Sequence, residues 1–226
     1  MAVNNPSDSL VTLTMPRSPV SEAYRTLRTN LEFSSLDKPV KTMVVTSPGP
    51  EEGKSTTLAN LAVTLAQAEK EIILVDCDLR RPSQHEIFGV NNGVGLTTMV
   101  VDDEAMADPP LQQTSVPGLW LLPSGPLPPN PSELVGSRRM EEILAVLSQR
   151  ADIILFDAPP VIAVTDAAVL SSKVDGVLLV INAGGTKREH AQKAKALLEK
   201  VNANLVGAVL NNVKMDTSLH RYYAEQ

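Results

Sequence analysis

The chain has 226 residues, 43% hydrophobic and 20% charged, which suits a single α/β domain with a full core. Its formal net charge of −6 argues against nucleic acid as the main partner, and a single cysteine, Cys77, excludes a disulfide framework and fits a reducing cytoplasm. No apolar run approaches the roughly 20 residues that span a bilayer, and the polar stretch from Met1 to Pro16 has no signal-peptide pattern. A soluble cytoplasmic protein is expected, reaching a membrane only through a partner.

In chain order, residues 1–17 are rich in Ser, Asn and Pro and read as a flexible arm. A helix is predicted from Ser18 to Ser35, capped by Ser18 or Ser21, with Val20, Ala23, Leu27 and Leu31 at helical spacing. Strands are predicted at 42–47, 71–76, 118–122, 152–157, 175–181 and 205–211. Helices are predicted at 54–68, 131–149 with a break near Gly136, 164–172 and 186–202. Several strands are apolar throughout, such as Ile153-Ile154-Leu155-Phe156 and Val177-Leu178-Leu179-Val180-Ile181. Such strands alternating with helices indicate a mostly parallel sheet with helices on both faces.

Between the first strand and the helix after it stands Thr46-Ser47-Pro48-Gly49-Pro50-Glu51-Glu52-Gly53-Lys54-Ser55-Thr56. The setting is that of a phosphate-binding loop, in which backbone N–H groups and a helix N-terminus surround phosphates. Lys54 is placed for the β/γ-phosphates and the Ser55 hydroxyl for Mg²⁺. Pro48 holds the position of the motif's first glycine, so the loop alone is an incomplete match. Two later strands end in acid: Val75-Asp76-Cys77-Asp78-Leu79-Arg80 and Phe156-Asp157-Ala158-Pro159-Pro160. Carboxylates at the carboxyl ends of parallel strands lie where such sheets bind ligands. They are costly there without a partner, and Mg²⁺ on nucleotide phosphates supplies one. Asp76 and Asp78, two apart, suit one metal ligand and one proton acceptor. Cys77, between two aspartates, reads as an unreactive buried residue.

Together these three motifs resemble the Walker A, A′ and B set of the bacterial tyrosine kinases (BY-kinases) of capsule and exopolysaccharide synthesis, in their stand-alone cytoplasmic form. The resemblance covers residues 18–215 and extends to Pro123–Leu134, Thr165-Asp166-Ala167, Ala183-Gly184-x-Thr186 and Gly207–Asn211. It implies a P-loop NTPase fold and an ATP- and Mg²⁺-dependent protein-tyrosine kinase. Nucleotide contacts would fall to Glu52, Gly53, Lys54, Ser55, Thr56, Arg80 and Asn211, the last at adenine. Metal binding would fall to Ser55, Asp76, Asp78 and Asp157, and catalysis to Lys54, Asp76, Asp78 and Asp157. Glu22-x-x-Arg25-x-x-Arg28 matches the family's ring-assembly motif, although the same residues also make an ordinary helix-surface ion pair. The implied partner is a membrane-spanning polysaccharide co-polymerase that activates the kinase, with protein substrates and no nucleic acid.

Some positions depart from the family pattern. Glu51 stands where glycine is common, and both Glu51 and Glu52 are expected to turn away from the phosphates. Asn182 replaces a usual arginine, and Gly49 occupies the place of the extra lysine of the partitioning and division-site ATPases. The expected tyrosine cluster is reduced to Tyr222 and Tyr223, in a tail (216–226) that reads as flexible and stretches about 35 Å. The short cluster gives weight to a rival reading, an ATPase switch that phosphorylates nothing; a second rival is a non-catalytic assembly module ordered by nucleotide.

Overall fold

The computed structural model describes residues 10–34 and 39–214. The elements are α1 (Val11–Thr14), α2 (Pro19–Ser34), β1 (Thr42–Thr46), α3 (Lys54–Ala66), β2 (Ile72–Asp76), α4 (Gln84–Phe88), α5 (Leu96–Val101) and α6 (Asp103–Ala107). They continue with β3 (Gln112–Gln113), β4 (Leu119–Leu122), α7 (Pro131–Gly136), α8 (Arg138–Leu147), β5 (Ile153–Asp157), α9 (Asp166–Ser171), β6 (Gly176–Asn182), α10 (Arg188–Lys200) and β7 (Leu205–Asn211).

One seven-stranded sheet runs in the order β3-β4-β2-β5-β1-β6-β7. All neighbours are parallel except the short edge pair β3–β4. Alternate strand residues serve opposite faces. Val44, Ile73, Val75, Ile154, Phe156, Val177 and Leu179 join the core under α5, α8, α9 and α10. Met43, Val45, Ile72, Leu74, Leu155, Leu178 and Val180 join the core under α3. Burial on both faces is why these strands carry no polar alternation. The register sets Val45 and Asp76 each beside Asp157, so the loop after β1 and the acids of β2 and β5 emerge at one edge.

The longer predicted helices and strands fall where the hydrophobic patterns put them. Ser18 is the α2 cap, its Oγ accepting from the Ser21 N–H at 3.2 Å. The break near Gly136 is made by Ser137, whose Oγ accepts the Met140 N–H and starts α8. The flexible-arm reading of residues 1–17 is corrected from Leu10 onward. Leu10 and Thr12 are buried, and Thr12 donates through both its N–H and its hydroxyl to Asn60 Oδ1, at 3.0 and 2.9 Å. Helices α1, α4, α5 and α6 and strand β3 have no counterpart among the predicted elements. Each has six residues or fewer, too few to establish a period.

Candidate nucleotide and phosphoryl-transfer site

The loop leaving β1 is held in shape by its own side chains. Ser47 Oγ donates to the Gly49 carbonyl at 2.6 Å, and Thr46 Oγ1 donates to the Pro159 carbonyl at 2.7 Å, tying the loop to the turn after β5. Gly53 closes the loop at φ +84°, and a Cβ there would lie 2.0 Å from Asn211 Nδ2. Glycine is therefore required both for conformation and for space. Glu51 also sits in the left-handed region, at φ +58°, a conformation that costs a non-glycine residue about 1–2 kcal/mol. Its side chain is exposed, as expected. Glu52 corrects the other half of that expectation. It is buried, and its Oε1 accepts the Gly49 N–H at 2.9 Å. Its carboxylate thus braces the loop from within.

Lys54, the first residue of α3, reaches across the sheet edge. Its Nζ lies 2.9 Å from Asp157 Oδ1, 2.9 Å from Asp78 Oδ2 and 3.1 Å from Ser55 Oγ. Burial works against its charge, but Asp157 and Asp78 outweigh that and hold its pKa above the ordinary lysine value. The two A′ aspartates have separate surroundings. Asp78 faces Lys54, and its Oδ1 accepts the Arg81 N–H at 3.0 Å. Asp76 is fully buried, its Oδ2 accepting the N–H groups of Ser83 and Gln84 at 2.9 Å each and its Oδ1 that of Asp78 at 3.2 Å. Burial first, then the Asp157 charge, push its pKa up to about 8 from 3.8.

That shift fixes a pH dependence. A carboxyl whose pKa rises on folding stabilises the protein when protonated, below its unfolded pKa, and that stability is lost as pH climbs through the folded value. The nucleotide-free protein is expected to lose stability from this group as pH rises from about 4 to about 8. In an Asp76→Asn variant this part of the slope disappears, as urea-unfolding midpoints across the range will read; an unchanged slope would rule out the assignment.

Asp78 and Asp157 share one ammonium here, with Asp76 buried beside them, so the cluster lacks cationic charge. Among the described residues, no three His, Cys, Asp or Glu side chains converge as a self-sufficient metal cage. Oxygen donors short of a full shell fit Mg²⁺, which takes one or two carboxylates and completes its sphere with phosphates and water.

Sequence reasoning missed several members of the site. Gln84, the first residue of α4, is fully buried, and its Nε2 donates to Asp157 Oδ2 at 2.7 Å and to the Ser55 carbonyl at 3.1 Å. Nothing in the local sequence marks it, beyond its place shortly after Arg80-Arg81-Pro82. Arg81 lines the phosphate-loop cavity with Pro50, Glu51, Gly53, Lys54, Ser55 and Thr56. Arg80, expected at the nucleotide, is turned instead toward Asp166, with Nε 2.9 Å from Oδ2 and Nη2 3.2 Å from Oδ1. Burial opposes the charge of Asp166, but hydrogen bonds from Arg80 and Ser132 hold its pKa below the usual carboxylate range. Arg80 Nη2 also donates to Ser132 Oγ at 3.3 Å, so the fork joins the turn after β2 to α7 and α9.

The arrangement of a glycine-hinged loop, a lysine at its helix and aspartates closing two neighbouring strands can be set beside known proteins. Residues 43–226 match the family model of the CobQ/CobB/MinD/ParA nucleotide-binding domain. The tyrosine-protein kinase YwqD of Bacillus subtilis is 43% identical over 216 residues, covering 95% of this chain and 91% of that protein. The chain belongs to the bacterial tyrosine-kinase family. Among solved structures, the chimerical protein CapA2B2 superposes with a TM-score of 0.87 at 38% identity, covering 92% of this chain and 91% of that one. The kinase domain of the Escherichia coli tyrosine kinase ETK gives a TM-score of 0.82 at 29% identity, over 92% of this chain and 82% of that one.

Seen as a member of this kinase family, the chain keeps its other expected residues in distinct places. Asn211, expected at adenine, donates through Nδ2 to the Glu52 carbonyl at 3.0 Å and so steadies the phosphate loop from β7. It also lines a cavity of about 390 Å³ between α2 and β7, with Tyr24, Leu27, Thr57 and Val209. In α2, Glu22 pairs with Arg25, while Arg28 Nη1 donates to the Thr64 carbonyl of α3 at 2.8 Å. Glu22 and Arg25 are half-buried, Arg25 Nη2 also donating to the Pro16 carbonyl at 2.7 Å, and Arg28 is partly engaged within the chain. Cys77 is buried, and burial together with Asp76, Asp157 and Asp78 pushes its thiol pKa up, in keeping with an unreactive residue. Tyr222 and Tyr223 lie outside the described residues. No described helix is long and apolar enough to cross a membrane.

Proposed function

We propose that the chain is an ATP- and Mg²⁺-dependent protein-tyrosine kinase that phosphorylates its own C-terminal tail at Tyr222 and Tyr223 and regulates capsule or exopolysaccharide synthesis. The observation that carries this reading is Lys54 bridging Asp78 and Asp157 at the mouth of the phosphate loop, in a chain that aligns nearly end to end with named tyrosine kinases.

Phosphoryl transfer asks a protein mainly for positioning and charge stabilisation. The loop N–H groups, the α3 N-terminus and Lys54 hold the β/γ-phosphates, and Thr56 and Arg81 border the same space. Ser55, Asp78 and Asp157 are the metal ligands of this proposal. Bound Mg²⁺ would neutralise and orient the phosphate oxygens. Asp78 and Asp157, which now share the Lys54 ammonium, would be the carboxylates available to the metal. Of the two A′ aspartates, contact with Lys54 favours Asp78 as metal ligand, and Asp76 or Asp78 would accept the tyrosine hydroxyl proton.

Assembly follows from the same reading. The half-buried Glu22–Arg25 pair of α2 would dock on a neighbouring copy in a ring, and one subunit's tail would enter the next subunit's site. A membrane-spanning co-polymerase would recruit the ring to the inner face of the membrane. The test is phosphotyrosine in the tail after incubation with Mg²⁺-ATP; its absence while ATP is hydrolysed would leave the ATPase switch in its place.

A further inference from the structure

Gln84 makes three hydrogen bonds within the site, although no motif marks it. Its side-chain amide stands between two acceptors, the Asp157 carboxylate and the Ser55 carbonyl. Both must be met by the NH₂ group, because the flipped amide would set its oxygen against them. The orientation is therefore forced. Its cost is visible at the other end of the amide, where Oε1 is buried without a hydrogen-bond partner. At the same residue, the backbone N–H holds Asp76 Oδ2. One residue thus ties the phosphate-loop helix, the A′ strand and the B strand together.

An apolar side chain of similar size would fill the same fully buried space, but it would leave Asp157 Oδ2 without the donor that Gln84 supplies. Packing alone does not account for an amide here. What the amide does is fix one carboxylate oxygen. With Oδ2 of Asp157 held by Gln84 at 2.7 Å, only Oδ1, the oxygen on Lys54, is left to face a cation.

We infer that Gln84 is the positioning residue that orients Asp157 for metal binding. It acts through Asp157 and touches neither nucleotide nor acceptor, and the inference rests on the reading of this cluster as a Mg²⁺-nucleotide site. Removing such an outer partner of a metal ligand typically costs 10–100-fold in metal affinity or activity.

The experiment compares ADP binding with and without Mg²⁺ by titration calorimetry, in wild type, Gln84→Met and Gln84→Glu. Methionine keeps the volume and removes the donors; glutamate keeps the shape and sets a carboxylate against Asp157. The Met variant is expected to bind Mg²⁺-ADP about tenfold or more weakly, with metal-free ADP affinity unchanged. The Gln84→Glu variant is expected to be equally weak at high pH. It should recover as acid protonates the introduced carboxyl group, which can then donate one hydrogen bond. That recovery is a signature that loss of packing would not give, and it serves if the Met variant fails to fold. A Mg²⁺ preference equal to wild type in a folded Met variant, or no recovery in the Gln84→Glu variant, overturns the role of Gln84 alone. A wild-type protein that binds ADP equally with and without Mg²⁺ overturns the metal reading itself and this inference with it.

Discussion

A Lys54→Met variant is expected to lose phosphoryl transfer by about 10³-fold or more, equivalent to about 4 kcal/mol of transition-state stabilisation. Among the described residues, Lys54 is the side-chain cation that meets the carboxylate cluster, with Nζ 2.9 Å from both Asp78 and Asp157. It is also the lysine that lines the phosphate-loop cavity. Its removal takes away the charge that meets the β/γ-phosphates. It also leaves two buried acids uncompensated, and breaking a buried pair by deleting one partner costs about 3–5 kcal/mol. The nucleotide-free variant should therefore melt lower than wild type. Circular dichroism at the assay temperature separates loss of transfer from loss of fold. Wild-type transfer rates in a folded Lys54→Met protein would remove Lys54 from the mechanism.

Asp157→Asn is the second large effect. Asp157 has no exposed surface and uses both oxygens, one on Lys54 and one on Gln84 Nε2. An asparagine keeps one oxygen and brings an NH₂ that must face either the ammonium or the amide donor. The substitution thus removes a metal ligand, half of the lysine's partners and the anchor of Gln84 together. The expected loss in transfer is about 10²–10³-fold, with a raised Mg²⁺ requirement. A second consequence separates this mechanism from simple damage. The Asp157 charge is part of what raises the pKa of Asp76, so the Asn variant should show a flatter fall of stability with pH. Transfer kinetics over a Mg²⁺ series and unfolding midpoints over a pH series read the two effects; a Mg²⁺ requirement like wild type would contradict the assignment.

The parts of the site that were legible in the sequence are those written in local pattern. Apolar strands ending in Asp76 and Asp157 announce themselves because a charge closing a buried strand needs a reason. Gly53-Lys54-Ser55 follows a strand and opens a helix. Gln84 was not legible, because its role depends on α4 folding back so that a neutral side chain lands between Ser55 and Asp157. Glu52 was misjudged because electrostatics near phosphates predicts an outward carboxylate, whereas an otherwise unmet Gly49 N–H drew it inward. Arg80 and Arg81 are adjacent, and only the turn after β2 decides which one meets Asp166 and which one lines the loop. The N-terminal segment reads as polar, yet Leu10 and Thr12 pack onto α3 through contacts 48 residues away, between Thr12 and Asn60, that no local pattern encodes.

The central claim is that the chemistry ends on tyrosine. Intact-mass analysis of the full chain after incubation with Mg²⁺-ATP, beside a Tyr222→Phe/Tyr223→Phe variant, tests it most directly. Added phosphoryl groups are expected on the wild-type chain and none on the double variant. An unmodified wild-type chain in a sample that has turned ATP into ADP would contradict it.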